Sequence, residues 1–209
     1  MSVNYQNDTS FFMCLNIAGT GMNRSAINSW FSVVPAAKFR FINDPEVLDD
    51  NLNLKTVLDI YPGVKTIAIV SNPWARVKYM WDCLNDMKTA NPMMQLAQDV
   101  PQTDFESFVR AIPSMTTNVA GTRWFAPITP QVDWVKYTDD NGVEHKVDYI
   151  LKNENLEEGF QAIKDYFLSD MPLPATEATP DYRDFYTGET KQIVADIFAR
   201  DIAEFGYVF

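Results

Sequence analysis

Apolar positions along the chain fall into two continuous runs and several helical stripes. Phe11 to Ala18 is an unbroken apolar stretch apart from Asn16, which predicts a buried strand. It breaks at Gly19-Thr20-Gly21, after which Ala26, Ile27, Trp30 and Phe31 recur at helical spacing. This first helix is expected from about Asn23 to Val33, ending before Pro35. Lys38 to Ile42 alternates as a short strand and Asn43-Asp44-Pro45 turns the chain. Leu52 to Ile60 is weakly helical and stops at Pro62-Gly63. Lys65 to Val70 is the second continuous run, β-branched and suited to a central parallel strand. It ends at Ser71-Asn72-Pro73-Trp74, and Ala75, Val77, Met80, Trp81, Leu84 and Met87 mark the apolar side of a following helix.

The pattern is less regular further on. Residues Asn91 to Pro101 read as a loop, and Thr103 with Glu106 forms a capping box opening a helix to Ile112. Ser114 to Pro130 looks irregular, with Trp124 and Phe125 exposed or folded over a cleft. Asp133 to Tyr137 and Val143 to Leu151 flank Asp139-Asp140-Asn141-Gly142, which predicts a hairpin with an Asn-Gly turn. Asn155 with Glu158 opens a helix to about Leu168, with Leu156, Phe160, Ile163 and Phe167 on its apolar side. A Pro-rich connector, Met171 to Pro180, leads to a last helix from Glu189 to Glu204, closed by Gly206.

Composition narrows the partners. The chain has 209 residues, 46% of them hydrophobic, which fits one domain over residues 1–209 with a sizeable core. A formal net charge of -11 argues against bulk nucleic acid and anionic membrane faces as partners. A small anionic ligand stays admissible, because local donors matter more than the net charge. Cys14 and Cys83 fall in a strand and a helix and read as buried free thiols rather than a disulfide or a catalytic thiol. The polar stretch Met1 to Asp8 shows no signal peptide, and no apolar run reaches membrane-spanning length, so a cytoplasmic protein is expected. Cys and His show no metal-ligand spacing, and there is no nucleophile elbow.

Strand, tight turn and helix therefore occur twice, with polar groups at the C-terminal end of each strand. That arrangement points free backbone N–H groups at an anion, and the helix dipole adds to the attraction. In open α/β sheets the same strand ends form the edge where ligands bind. An ordinary strand-to-helix turn remains the alternative at the first site.

Three segments together resemble the sulfotransferase fold, in particular the carbohydrate-type family. Asn16-Ile17-Ala18-Gly19-Thr20-Gly21 lies where that family has its 5′-phosphosulfate loop, Pro-Lys-Thr-Gly/Ala-Gly-Thr-Ser. Ser71-Asn72-Pro73-Trp74-Ala75-Arg76-Val77-Lys78-Tyr79 is similar to its 3′-phosphate motif, Arg-Asn-Pro-Tyr-x-Arg-x-x-Ser. Tyr149 to Glu158 is similar to its phenylalanine-glutamate-asparagine-leucine box, and Asp201, Phe205, Gly206 and Tyr207 match its usual ending. The resemblance implies an α/β, P-loop-like three-layer core with a parallel sheet, a β-hairpin and C-terminal helices. It implies 3′-phosphoadenosine-5′-phosphosulfate as donor and a small-molecule or carbohydrate hydroxyl as acceptor. The donor contacts it implies are Ala18, Gly19, Thr20, Gly21, Met22, Asn23, Arg24, Ser71, Arg76 and Tyr79.

The chain departs from the family pattern at charged positions. Asn16 stands where the family has a Lys facing the leaving oxygen; Asn donates a hydrogen bond but carries no charge, and charge-assisted bonds are about twice as strong. Ser71 and Tyr79 replace the Arg and Ser that hold the 3′-phosphate, while Arg76 is kept, as a nucleotide contact or as half of an ion pair. Arg24 either folds back to replace the missing charge or is a solvated helix residue; Lys152 and Arg183 are further cations near matching segments. His145 is the one histidine, either a general base or a solvated hairpin residue, and Glu106 or Asp133 are carboxylate alternatives. Two functions follow: a sulfotransferase, or a binding protein on the same fold that has lost the donor site. A nucleotide-dependent phosphotransferase is disfavoured, since Gly-x-x-x-x-Gly-Lys-Ser/Thr is absent.

Overall fold

The structure, a computed structural model, describes residues 12–16, 39–41, 54–60, 63, 65–90, 104–118, 130–155, 158–159 and 181–209. The described chain falls into two compact units. Residues up to Val70, together with those from Asp133 to Gly159, belong to the first; Ser71 to Val132 and the C-terminal stretch from Asp181 belong to the second. The elements expected at Asn23–Val33, Asn91–Pro101, Trp124–Phe125, Leu156–Leu168 and Met171–Pro180 lie mainly or wholly outside the described residues.

The first unit holds a four-stranded parallel sheet. Its strands are β1 (Phe12–Asn16), β2 (Phe39–Phe41), β3 (Lys65–Val70) and β6 (Tyr149–Lys152), in the order β2-β1-β3-β6. A short helix, α1 (Leu54–Ile60), precedes β3. Thr66 to Val70 are all buried, as a central strand covered on both faces requires. In parallel register Cys14 pairs with Ile67 and Asn16 with Ile69, while Ile67 pairs with Tyr149 on the other side. The chain leaves β1 for β2 on one side and returns to β3 on the other, so the strand order reverses between β1 and β3.

The sheet is tied at the start of β3 by Asp148. Its Oδ2 accepts from the Thr66 backbone N–H and the Thr66 hydroxyl, both at 2.9 Å, and Thr66 Oγ1 accepts from the Asp148 N–H at 3.1 Å. Lys65 pairs with the same carboxylate. This anchor accounts for a correction to the sequence reading. Val143 to Leu151 does not run as one strand: β5 (Glu144–Lys146) ends before Val147-Asp148, and β6 then joins the parallel sheet.

The hairpin pairs β4 (Lys136–Thr138) with β5, Tyr137 lying opposite His145. Asp133 to Val135, expected as strand, lie in a helical turn, α4 (Val132–Val135). The turn also differs from a two-residue Asn-Gly turn, because no described non-glycine residue has positive φ. Gly142 alone is left-handed, at φ 79°, and the Asp139 N–H donates to Val143 O at 2.9 Å, so the loop has three residues. Asp139 selects it: Oδ1 accepts from the N–H groups of Asn141 and Val143, both at 2.9 Å.

The second unit is helical: α2 (Pro73–Ala90), α3 (Phe105–Asn118), α5 (Gly188–Ile197) and α6 (Ala199–Phe205). Its core joins Trp74, Val77 and Met80 of α2, Phe105, Phe108, Val109 and Ile112 of α3, and Tyr182, Val194 and Phe198. The helix α3 is capped by Asp104, whose Oδ1 accepts from Ser107 N at 2.7 Å, and it runs past the expected end at Ile112 to Asn118 with Pro113 inside. Burial of its Phe-Val-Ile face outweighs the backbone bond that Pro113 cannot make. The single last helix expected from Glu189 to Glu204 is two helices meeting at Phe198, whose φ of -105° and ψ of 25° leave the helical range. A reciprocal Thr187–Thr190 capping box opens α5, and left-handed Gly206 closes α6. No helix among the described residues is long and apolar enough to cross a membrane.

Candidate functional site

Residues following β3 form the best-described part of the candidate site. β3 ends at Val70, and the next two residues reach α2 without regular structure. Asn72 caps the helix: its Oδ1 accepts from Trp74 N at 3.0 Å, while its Nδ2 donates to Val208 O at 2.8 Å. Pro73 opens α2 at the position where a missing N–H costs nothing. The Asn72 carbonyl accepts the helix's first described bond, from Arg76 N at 2.9 Å.

Ser71 is held by Gln131. Ser71 N–H donates to Gln131 Oε1 at 2.9 Å, and Gln131 Nε2 donates to Ser71 O at 2.8 Å. One primary amide thus occupies both backbone groups of one residue, as a neighbouring strand would. Gln131 is fixed in turn by Asp201, whose Oδ2 accepts from Gln131 N at 2.8 Å and Gln131 Nε2 at 3.2 Å, and whose Oδ1 accepts from Val132 N at 2.9 Å. All three side chains lie in the interior, at 1% exposure or less. The Ser71 hydroxyl, also buried, has no hydrogen-bond partner among the described residues.

Of the two roles open to Arg76, the described geometry is that of the ion pair. Arg76 is 1% exposed; its Nη1 lies 4.0 Å from Asp201 Oδ2 and its guanidinium carbon 5.7 Å from the Phe198 ring centre. Burial pulls the guanidinium down to about 10, against the opposing pull of Asp201 and Tyr207, so it stays charged at neutral pH. Tyr79 is half-buried on α2.

The other nominated residues are spread more widely. Asn16 is the last residue of β1, level with Ile69. Ala18, Gly19, Thr20, Gly21, Met22, Asn23 and Arg24 lie outside the described residues. His145 sits on the hairpin, its Nε2 3.0 Å from Asp139 Oδ2 and its ring stacked on Tyr137 at 4.8 Å. Hydrogen bonds from His145 and from the loop backbone hold the Asp139 carboxyl below its usual range. Glu106 pairs with Arg110 at 2.9 Å, in a surface network with Glu189 on α5, and Asp133 is exposed on α4. Lys152 ends β6, and Arg183 pairs with Asp181 at 3.2 Å. Trp74 is a core residue, donating from Nε1 to Lys191 O at 3.0 Å and meeting Phe209 edge-on at 5.5 Å.

Sequence reasoning missed Gln131 and the partnership of Asp201 with it. Asp201 carried a signal, as a charged residue on the apolar face of the last helix, flanked by Phe198, Ile202 and Phe205. Gln131 carried none, because nothing local marks an amide that acts 60 residues away.

The parallel order and the strand-to-helix turn define a mixed α/β protein of sulfotransferase-like fold. This is shown by similarity to the crystal structure of mouse sulfotransferase SULT7A1 complexed with PAP, with a TM-score of 0.54 over 97% of this chain and 86% of that one. Sequence identity between the two is 12%, so the likeness is one of fold. No protein-family model and no curated protein matches the sequence.

Proposed function

We propose that the chain is a sulfotransferase that binds 3′-phosphoadenosine-5′-phosphosulfate at the C-terminal ends of β1 and β3. It passes the sulfuryl group to a hydroxyl of a small or carbohydrate acceptor. The observation that carries this is the strand order β2-β1-β3-β6, whose reversal between β1 and β3 makes their C-terminal ends the ligand edge of the sheet. Both family-like segments begin there. The Ser71 hydroxyl, buried and without a partner among the described residues, fits a phosphate oxygen that accepts its hydrogen bond. SULT7A1 bound to PAP lends the fold precedent.

In this reading Ala18, Gly19, Thr20, Gly21 and Met22 cradle the 5′ end through backbone N–H groups, as a P-loop-like turn does. Asn23 and Arg24, next in the sequence, add side-chain contacts to the same end. Ser71 and Tyr79 bind at the 3′-phosphate, and Arg76 supports that contact from the core side through Asp201. The acceptor oxygen bonds to sulfur as the bond from sulfur to the phosphate oxygen breaks. The bisphosphate leaves with that electron pair, Asn16 donating to the leaving oxygen, and the acceptor proton passes to a base; His145, the candidate from the sequence, is paired with Asp139 on the hairpin that enters β6 at its N-terminal end. A second reading, a binding or interaction protein on the same fold that has lost the donor site, is favoured by one observation: the retained Arg76 is engaged with a carboxylate inside the core.

Calorimetric titration with adenosine 3′,5′-bisphosphate tests the proposal. Saturable binding is expected, weakened about ten- to hundredfold by Ser71→Ala, the equivalent of one hydrogen bond to a charged group. The absence of binding at millimolar nucleotide overturns it and selects the second reading. Nucleotide binding without sulfuryl transfer to any acceptor would overturn the transfer step alone.

A further inference from the structure

We propose that Gln131 is a positioning residue for the phosphate-binding turn after β3, presetting the Ser71 hydroxyl before any ligand arrives. The inference rests on the reading of that turn as the 3′-phosphate site. A serine at a strand end ordinarily leaves its N–H and C=O to water or to whatever ligand is present. Here both groups are taken by the two ends of the Gln131 amide, at 2.9 and 2.8 Å. An amide that bridges N–H and C=O of one residue fixes the peptide planes on either side of it.

The bridge cannot swing away, because its own atoms are committed. Gln131 N and Nε2 both donate to Asp201 Oδ2, and Asp201 faces the Arg76 guanidinium. Asn72 is pinned independently through Val208 O and Trp74 N. The Ser71 side chain is thereby the one polar group of that residue left to a ligand. A turn held in this way loses little backbone freedom when the phosphate binds, and pre-organisation of that kind raises affinity. An uncharged serine in place of the family's arginine has most need of it.

The test compares wild type, Gln131→Met, Ser71→Ala and the double variant, with Val194→Ala as a control that loosens the core without removing a bond of the Gln131 bridge. Two quantities are read: affinity for adenosine 3′,5′-bisphosphate and hydrogen exchange of the Ser71 amide without ligand. The expected result is about tenfold weaker binding for Gln131→Met, since two buried backbone groups lose their partners. Faster Ser71 exchange accompanies it, and Val194→Ala, melting equally low, keeps wild-type affinity. The double variant binds no more weakly than Ser71→Ala alone, because the glutamine acts through the serine. Equal affinity and equal Ser71 exchange in wild type and Gln131→Met overturn the proposal, as does a loss of affinity matched by Val194→Ala. Wild-type protein that binds no bisphosphate overturns the donor reading instead. Ser71 exchange then decides alone: a rate unchanged by Gln131→Met overturns the presetting role, and a faster one sustains it.

Discussion

Asp201 combines two duties that usually fall to separate residues. It balances a buried guanidinium and it accepts hydrogen bonds from Gln131 N, Gln131 Nε2 and Val132 N. Removing it leaves a buried cation and several donors without that acceptor, so Asp201→Ala should destabilise the protein by about 3–5 kcal/mol. Urea unfolding measures this, and a loss below about 1 kcal/mol would mean that the network is not worth what its burial suggests. The same logic explains why Arg76 is a poor probe of ligand binding: its substitution strands the Asp201 charge in the core. Ser71, whose hydroxyl holds no partner among the described residues, is the informative position.

At the scale of elements, β3 and β6 are joined at their N-terminal ends by Asp148. Burial raises its carboxyl, but the bonds from Lys65 and from Thr66 outweigh that, and its value falls below the ordinary 3.8. A carboxylate lowered in the folded state stabilises above its unfolded value, and that contribution is lost as pH falls from about 3.8 through the folded value. Asp148→Asn should therefore lower the urea midpoint at neutral pH and flatten its decline below pH about 4. Parallel acid limbs for the two proteins would show that Asp148 does not couple pairing to pH. Elements with a continuous pattern were legible in the sequence: β1, β3, α2 and the hairpin stand where apolar runs and turn residues put them. Boundaries failed where a distant partner decided them. Asp148 ends the run from Val143 through Thr66, the α3 core face carries that helix past Pro113, and Phe198 breaks the last helix while keeping its ring buried.

For the molecule as a whole, the parallel order β2-β1-β3-β6 turns two short sequence likenesses into one proposed site. Neither segment identifies a nucleotide by itself, since Asn16 and Ser71 stand where the resemblance implies charged residues. The sheet adds that the strands leading to them are neighbours, parallel and in register, with Asn16 level with Ile69. The fold class and the turn after β3 were thus within reach of the sequence. The clamp behind that turn was not, because Gln131 reaches Ser71 from 60 residues later and Asp201 holds Gln131 from a further 70, and polar residues at such separations leave no periodic trace.

A crystal structure with adenosine 3′,5′-bisphosphate bound tests this most directly. The nucleotide should lie across the C-terminal ends of β1 and β3, with a 3′-phosphate oxygen within hydrogen-bond distance of Ser71 Oγ and the Gln131 amide still bridging Ser71. Nucleotide density at the opposite edge of the sheet, or a Ser71 hydroxyl that turns away from the phosphate, would contradict the account.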